Sequence, residues 1–330
     1  MNVLGLFDGV SCGHVALDKA GIHVDKYYAS EIDKYAISVT QRNYPDTIQL
    51  GSVLDYDSWD IEKPDIILAG FPCQPYSVAG YRKGVDDHRG GNIIEAMFSV
   101  IATYKPPVIL LENVKGLLSI DNGNVFASII DALKDMGYFV NWSVINSALV
   151  SAQNRERVYI VATLGKSVII TQPEDRGIYL KDIIIDAITE KDKSYCIDAN
   201  YWKGASVEQY KLKCRRQLVQ RKDSACLQVG EADIRGMDCI KRVYDIAGKC
   251  PTLTTMGGGH REPKITTDYE TWRKLTPLEC ERLQTLPDGY TAEGCVGEKI
   301  SNTQRYRCLG NGWTVDVIVH ILRCIYEQRT

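Results

Sequence analysis

The stretch Val3-Leu4-Gly5-Leu6-Phe7-Asp8-Gly9-Val10-Ser11-Cys12-Gly13, which runs on into a helical pattern closed by Gly21, sets the architecture. An apolar run, a glycine-flanked turn and a helix in that order open a βα unit. Working outward, short apolar runs like Val3–Phe7 recur at Tyr27–Ser30, Ile48–Leu50, Ile66–Ala69, Val108–Leu111, Tyr138–Ile145 and Val158–Thr163, with helical patterns between the earlier ones. One helix is bounded clearly, because Asn124 can cap Val125–Met136 and Gly137 can end it. This alternation predicts an α/β fold with a doubly wound, mostly parallel sheet covered by helices on both faces. The last two runs are about a dozen residues apart and lack helical periodicity, so the seventh strand is expected to pair antiparallel at an edge.

Ligands on such sheets bind outside the carboxyl ends of the strands, and the distinctive residues cluster there. The first turn is not G-x-G-x-x-G, so a pyrophosphate is not indicated. Glu31, eighteen residues past Gly13, ends the second strand, where an acid accepts ribose hydroxyls; a tight turn beside a surface acid is the plainer alternative. Gly70-Phe71-Pro72-Cys73-Gln74-Pro75-Tyr76-Ser77 follows the fourth strand. Prolines on both sides of Cys73 hold its thiol on a stiff loop, although an isolated cysteine is more often a small core residue. After the fifth strand Glu112 sits at an apolar strand tip. Burial there would raise its pKa and let it carry a proton near neutral pH; a helix cap or an ion pair is the alternative. In Gln153-Asn154-Arg155-Glu156-Arg157, alternation in an extended segment puts Gln153, Arg155 and Arg157 on one face, as a surface ion-pair cluster also would.

The chain has 330 residues, 45% hydrophobic and 25% charged, an ordinary globular composition long enough for about two domains. No apolar run reaches the roughly 18 to 20 residues of a membrane helix, and Met1–Val10 lacks the pattern of a signal peptide, so a cytoplasmic location with no membrane partner is expected. The eleven cysteines are odd in number, dispersed and never spaced C-x-x-C, which argues against a disulfide framework or a zinc site. The net charge of -3 conceals an asymmetry. Residues 1–164 carry 13 basic against 19 acidic residues and 165–330 carry 26 against 23. Lys203–Lys222 alone holds seven basic residues against Glu208. A solvated helix face would explain that run as well as a polyanionic partner does.

Taken in order, FDG-x-x-x-G, a lone Glu, GFPCQPYS, ENV, Q-x-R-x-R and Gly310-Asn311-Gly312 resemble the C5-cytosine DNA methyltransferases over nearly the whole chain, apart from a variable region of about residues 165 to 270. The resemblance implies a Rossmann-like S-adenosylmethionine-dependent methyltransferase fold with a smaller target-recognition domain. It divides the chain into a catalytic and cofactor-binding domain at 1–164, a target-recognition region at 165–270 and a return segment at 271–330. Val315, Ile318, Val319, Leu322 and Ile325 form a stripe by which the last helix can dock beside the first.

The resemblance also implies methyl transfer from S-adenosylmethionine to carbon 5 of cytosine in a specific duplex DNA sequence. Carbon 5 is a poor nucleophile, and thiolate addition at carbon 6 activates it. Cys73 would supply the thiolate, Glu112 would address ring nitrogen 3, and Arg155, supported by Arg157, would hold the base oxygen. For the cofactor, Phe7 would stack on the adenine, Gly9 and Gly13 line the methionine end, Glu31 bind the ribose, and Ile32 cover the adenine. Asp8, Val53, Pro72 and Asn311 complete that pocket by the same resemblance, and no metal is implied. Many relatives have Gly-Asp where this chain has Gly51-Ser52, which leaves the adenine amino contact to Ser52 or Asp55.

A base inside a duplex must be flipped out to react, and the glycine-rich, basic stretch Tyr76–Gly91 could form a lid over it. Tyr201, Trp202, the basic run and the turn-rich segment Cys250–His260 are candidate contacts to DNA. Double-stranded DNA is therefore the expected partner of an expected monomer, and a cognate restriction endonuclease is not inferable. The capping box Thr276-Pro277-Leu278-Glu279 predicts a helix to Pro287 in which Arg282 and Gln284 are structural. An RNA cytosine methyltransferase of the same fold, an idle DNA-binding regulator and a nucleotide-dependent oxidoreductase are the alternatives. The absence of a Cys-Phe-Thr element, the intact Cys73, Glu112 and Arg155 set, and the missing phosphate fingerprint weigh against them in turn.

Overall fold

The computed structural model describes residues 1–72, 91–185, 187–189, 191–203, 206–213, 216–221, 228–231, 242–245, 264–266 and 272–329. The chain begins β1 (Asn2–Leu6), α1 (Cys12–Ala20), β2 (Lys26–Ser30), α2 (Lys34–Asn43), β3 (Ile48–Gln49) and β4 (Ile66–Gly70). It continues α3 (Gly91–Tyr104), β5 (Val108–Val114), α4 (Asn124–Asp135), β6 (Phe139–Asn146) and β7 (Glu156–Thr163). These seven strands form one sheet in the order β3-β2-β1-β4-β5-β7-β6. Pairings from β3 to β5 are parallel, and β7 runs antiparallel to both β5 and β6. The seventh strand is thus antiparallel as expected, but it lies inside the sheet and β6 takes the edge. The strand order reverses between β1 and β4, which opens the crevice where doubly wound sheets bind ligands.

Strand alternation assigns the two faces. Val3, Ile66, Leu68, Val108 and Leu110 point into one buried cluster with Val15, Ala16 and Leu17 of α1. Leu4, Leu6, Ile67, Ile109 and Leu111 point into the other with Met97 and Ile101 of α3 and Ile129 and Leu133 of α4. Both faces are covered, so the strands read as nearly continuous apolar runs. Each fully buried leucine or isoleucine contributes about 1.5–3 kcal/mol.

Helix ends follow local chemistry. Gly21 closes α1 at φ +73, its N–H bonded to the carbonyls of Leu17 and Asp18. The residue before α4 is Gly123, in the left-handed region, and Asn124 is the first helical residue, its side chain donating to Asp121. The expected cap thus moves by one position. Gly137, at φ +90, ends that helix with its N–H on Lys134.

Beyond β7 the chain forms β8 (Ala187–Ile188), α5 (Val207–Lys213), β9 (Leu218–Arg221), β10 (Gln228–Glu231), β11 (Arg242–Asp245), β12 (Lys264–Thr266) and β13 (Trp272–Lys274). They make two three-stranded sheets, β10-β11-β12 and β13-β9-β8. Val168, Ile170, Leu180, Ile183, Ile197 and Tyr201 belong to the same buried cluster as β1.

The return segment contains α6 (Pro277–Leu283), α7 (Asn302–Asn311) and α8 (Val315–Arg329). Thr276 and Glu279 form the expected capping box. The helix stops at Leu283 rather than Pro287, because Gln284 turns into a buried hydrogen-bond network and Thr285 adopts φ +54. Arg282 bonds Asp288 and the Ile183 carbonyl. The stripe on α8 is buried throughout, and α8 packs on α1.

Candidate active site

The turn after β1 is forced into an unusual shape. Phe7, Gly9 and Ser11 all have positive φ, near +55. For Phe7, a bulky residue, this conformation costs on the order of 1–3 kcal/mol, a strain of the kind found at ligand sites. The Asp8 carboxylate turns inward, accepting hydrogen bonds from Ser11 Oγ and, at 2.7 Å, from the Tyr27 hydroxyl. Burial pushes Asp8 up to about 6 despite those bonds. Gly5 leaves room for it, since a Cβ there would stand 2.3 Å from Asp8 Oδ1.

Glu31, at the end of β2, reaches across to this turn. Its Oε2 accepts from Gly9 N at 2.8 Å and its Oε1 from Ile32 N and Asp33 N, both at 2.8 Å. Three backbone donors therefore fix the carboxylate beside the strand ends. Next to it Ile32 is 77% exposed, an apolar side chain at the rim. Ser52 caps the short turn Val53–Ser58, its hydroxyl accepting from Leu54 N at 3.1 Å.

On the other side of the crevice, β4 and β5 pair Gly70 with Glu112. Glu112 lies inside β5, which runs to Val114 because β7 pairs with it that far. It is 8% exposed, and Arg157 Nε stands 3.1 Å from its Oε1. Burial raises the Glu112 pKa, opposed by the Arg155 and Arg157 charges and by hydrogen bonds from the Trp313 indole and Arg157. The ion pair named as the alternative is thus present, beside the burial that raises the pKa. Asn113 Nδ2 donates to the Phe71 carbonyl at 3.0 Å and so ties the end of β5 to the loop after β4. Cys73 and the rest of Cys73–Gly90 lie outside the described residues.

Arg155 and Arg157 have different partners. The Arg155 guanidinium, buried, donates to the carbonyls of Ile197 at 3.1 Å, Gly312 at 2.9 Å and Gly310 at 3.4 Å. Gln153 accepts from Ile197 N at 3.0 Å. Arg155 and Gln153 therefore clamp the segment at Ile197, and Arg155 also holds the turn around Asn311. At Gly310 the chains come so close that a Cβ would lie 2.4 Å from Ala199 N.

These pieces enclose a cavity of about 890 Å³. Phe7, Asp8, Gly9, Gly13, Glu31, Ile32, Ser52, Val53, Pro72, Glu112, Arg155, Arg157 and Asn311 all line it, so the structure brings together every expected site residue that it describes. Asp55 does not line it. Sequence reasoning missed Trp313, Arg307 and the backbone at Asp198–Ala199. Only Trp313 carried a signal, a donor-bearing aromatic directly after the glycine-flanked Asn311.

The chain is similar to known proteins along nearly its whole length. The chain is 31% identical over 336 residues to the type II methyltransferase M.Bsp6I of Bacillus sp. (strain RFL6), covering 99% of each. It is 29% identical to the orphan methyltransferase M.SPBetaI of Bacillus phage SPbeta, covering 98% of this chain and 97% of that protein. Among solved structures, the Dnmt2 methyltransferase of S. pombe superposes with a TM-score of 0.63 at 17% identity, covering 100% of this chain and 99% of that one. The family model for C-5 cytosine-specific DNA methylase matches residues 1–327, and the chain belongs to that family.

Proposed function

We propose that this chain methylates carbon 5 of cytosine in a specific duplex DNA sequence, acting as a monomer through base flipping and a covalent bond between Cys73 and the base. The observation that carries the reading is the buried Glu112–Arg157 pair, set in the same cavity as the fixed Glu31 carboxylate. A proton-carrying acid and a ligand-binding carboxylate at neighbouring strand ends suit a reaction between a base and a ribose-bearing cofactor.

S-adenosylmethionine is the methyl donor of this family, and the residues present fit it. Glu31 oxygens held by three N–H groups suit ribose hydroxyls, Phe7 and Ile32 offer apolar surface to an adenine, and the turn lacks the fingerprint that a pyrophosphate would need. When bound, it supplies an electrophilic methyl group on a sulfonium centre. Cys73 adds as thiolate to carbon 6 of the flipped cytosine. Glu112, whose proton affinity is raised by burial, donates to ring nitrogen 3, and electron density gathers at carbon 5. With the Arg155 guanidinium engaged by backbone carbonyls, Arg157 is the better placed to meet the base oxygen, and Arg155 holds the cavity wall.

We assign target reading to the 165–270 region. Lys203, Lys211 and Lys213 expose their side chains there, and Trp202 is exposed beside Lys203. The stretch Tyr76–Gly91 remains the proposed lid; all of it but Gly91, the first residue of α3, lies outside the described residues. The test is transfer of labelled methyl groups from S-adenosylmethionine to unmethylated plasmid DNA and, in competition, to structured RNA, followed by bisulfite mapping of the product. The reading expects 5-methylcytosine at one repeated sequence in DNA. Label confined to RNA, or to another base, overturns it.

A further inference from the structure

Trp313 sits in the wall of the cavity that Glu112 also lines, and is 9% exposed. It lies against the gap left by Gly70, the residue paired with Glu112 across β4 and β5. A Cβ on Gly70 would stand 2.6 Å from Trp313 Nε1 and 3.2 Å from its Cε2. The missing side chain is what lets the ring lie against β4, its Nε1 over the residue paired with Glu112. The backbone on either side of the ring is fixed independently. The Gly312 carbonyl accepts from Arg155 Nη2 at 2.9 Å and Gln284 Nε2 at 3.3 Å. Thr314 Oγ1 donates to Gln284 Oε1 at 2.9 Å and accepts from Ser147 Oγ at 2.9 Å.

We propose that Trp313 is a positioning residue for Glu112, its indole N–H and the Arg157 guanidinium holding the carboxylate from two sides in the orientation that meets the flipped base. The inference rests on the reading of Glu112 as the group that protonates ring nitrogen 3. An indole N–H donates and cannot accept, so it favours the ionised carboxylate and restricts rotation about the last side-chain bond. The other groups acting on Glu112 are the charges of Arg155 and Arg157, with Tyr159 as its cross-strand neighbour. None of these replaces a donor on the Gly70 side.

The test is single-turnover transfer of labelled methyl groups to unmethylated plasmid DNA, followed across pH for the wild-type chain, Trp313→Phe, Gly70→Ala and Glu112→Gln. Trp313→Phe keeps an aromatic ring and deletes the donor, whereas Gly70→Ala displaces the indole and leaves the tryptophan in place. The wild-type rate should fall as pH rises and Glu112 loses its proton. Both ring variants should lower the plateau about tenfold, the value of one hydrogen bond to a charged group, and should move this descending limb to higher pH. If Trp313→Phe does not fold, Gly70→Ala gives the same readout. A limb left in place by these variants, with or without a lower plateau, overturns the proposal, because packing alone would not move it. Loss of the limb in Glu112→Gln is the separate check: if that variant keeps both rate and limb, the assignment of Glu112 falls instead.

Discussion

Arg155 and Arg157 are two residues apart and both basic, yet their substitution should fail in opposite ways. In Arg155→Met the carbonyls of Ile197, Gly310 and Gly312 lose their donor in a buried setting. Two of those bonds, at 2.9 and 3.1 Å, are well formed, and a hydrogen bond to a charged group is worth about 1.5–3 kcal/mol. The expected destabilisation is therefore about 3–6 kcal/mol, or a melting temperature roughly 6–12 °C lower at about 2 °C per kcal/mol for a chain of this size. Cofactor affinity should fall as well, since the released turn carries Asn311 into the cavity wall. Arg157→Met removes one ion pair from a carboxylate that burial already inclines to hold a proton. That variant should melt within about 2 °C of wild type while its rate falls by roughly 10² to 10³, the usual loss for one stabilising donor at a reacting oxygen. Differential scanning calorimetry with initial-rate measurements on the same preparations separates the two. An Arg155→Met chain that melts like wild type and loses only turnover would refute the division of labour.

Cys73→Ser should abolish methyl transfer while leaving DNA affinity in a mobility-shift assay within about threefold; appreciable turnover would remove the thiol from the mechanism. If four to six basic residues of the 203–222 run meet phosphates, the DNA association constant should fall as roughly the fourth to fifth power of salt concentration, and a flat salt titration would remove that run from the interface. Between pH 4 and 6.5 two desolvated groups near the first helix should oppose each other. Burial raises Asp8 from 3.8 to about 6, so its contribution to stability falls as pH rises through that window. Burial between the rings of Tyr27 and Tyr44 lowers His14 from 6.5 to about 4, so its contribution is complete above 6.5 and lost as pH falls. Asp8→Asn should therefore expose a melting temperature that drops steadily on acidification from 6.5 to 4, and a variant as flat as wild type would contradict the opposition.

The first βα unit, the parallel strands and the docking of α8 were legible because each is written in local sequence: continuous apolar runs in β1 and β4, and a five-residue apolar stripe in α8. Glu31 and Glu112 were legible for a related reason, since a carboxylate ending an apolar run has few places to go but the carboxyl edge of the sheet. Long-range partners left no such trace. Arg155 and Arg157 alternate as residues of one face should, but β7 begins at Glu156. Arg155 lies before the ladder and Arg157 within it, so the two guanidinium groups diverge to Gly312 and Glu112. Gln284 likewise looks like one more residue of a surface helix until its side chain is found buried on the Leu309 and Gly312 carbonyls. The end of α6 depends on that engagement more than on any stop signal in its own sequence.

The strand expected at the edge is the feature that builds the Glu112–Arg157 pair. With β7 between β5 and β6, Glu112 faces Tyr159 and Val114 faces Arg157 across the antiparallel ladder. Glu112 and Arg157 then stand as diagonal neighbours on one face, within reach of long side chains. Had β7 taken the outer edge, a whole strand would intervene, adding about 4.8 Å between backbones, and the 3.1 Å contact between Arg157 Nε and Glu112 Oε1 could not form. Glu112 would then be a desolvated carboxylate without the Arg157 contact that opposes the effect of its burial. Insertion of one antiparallel strand into a parallel sheet thus sets both the position of Glu112 and the positive charge that opposes the effect of its burial. A helix-connected parallel strand in that slot would run the other way and present a different register to β5.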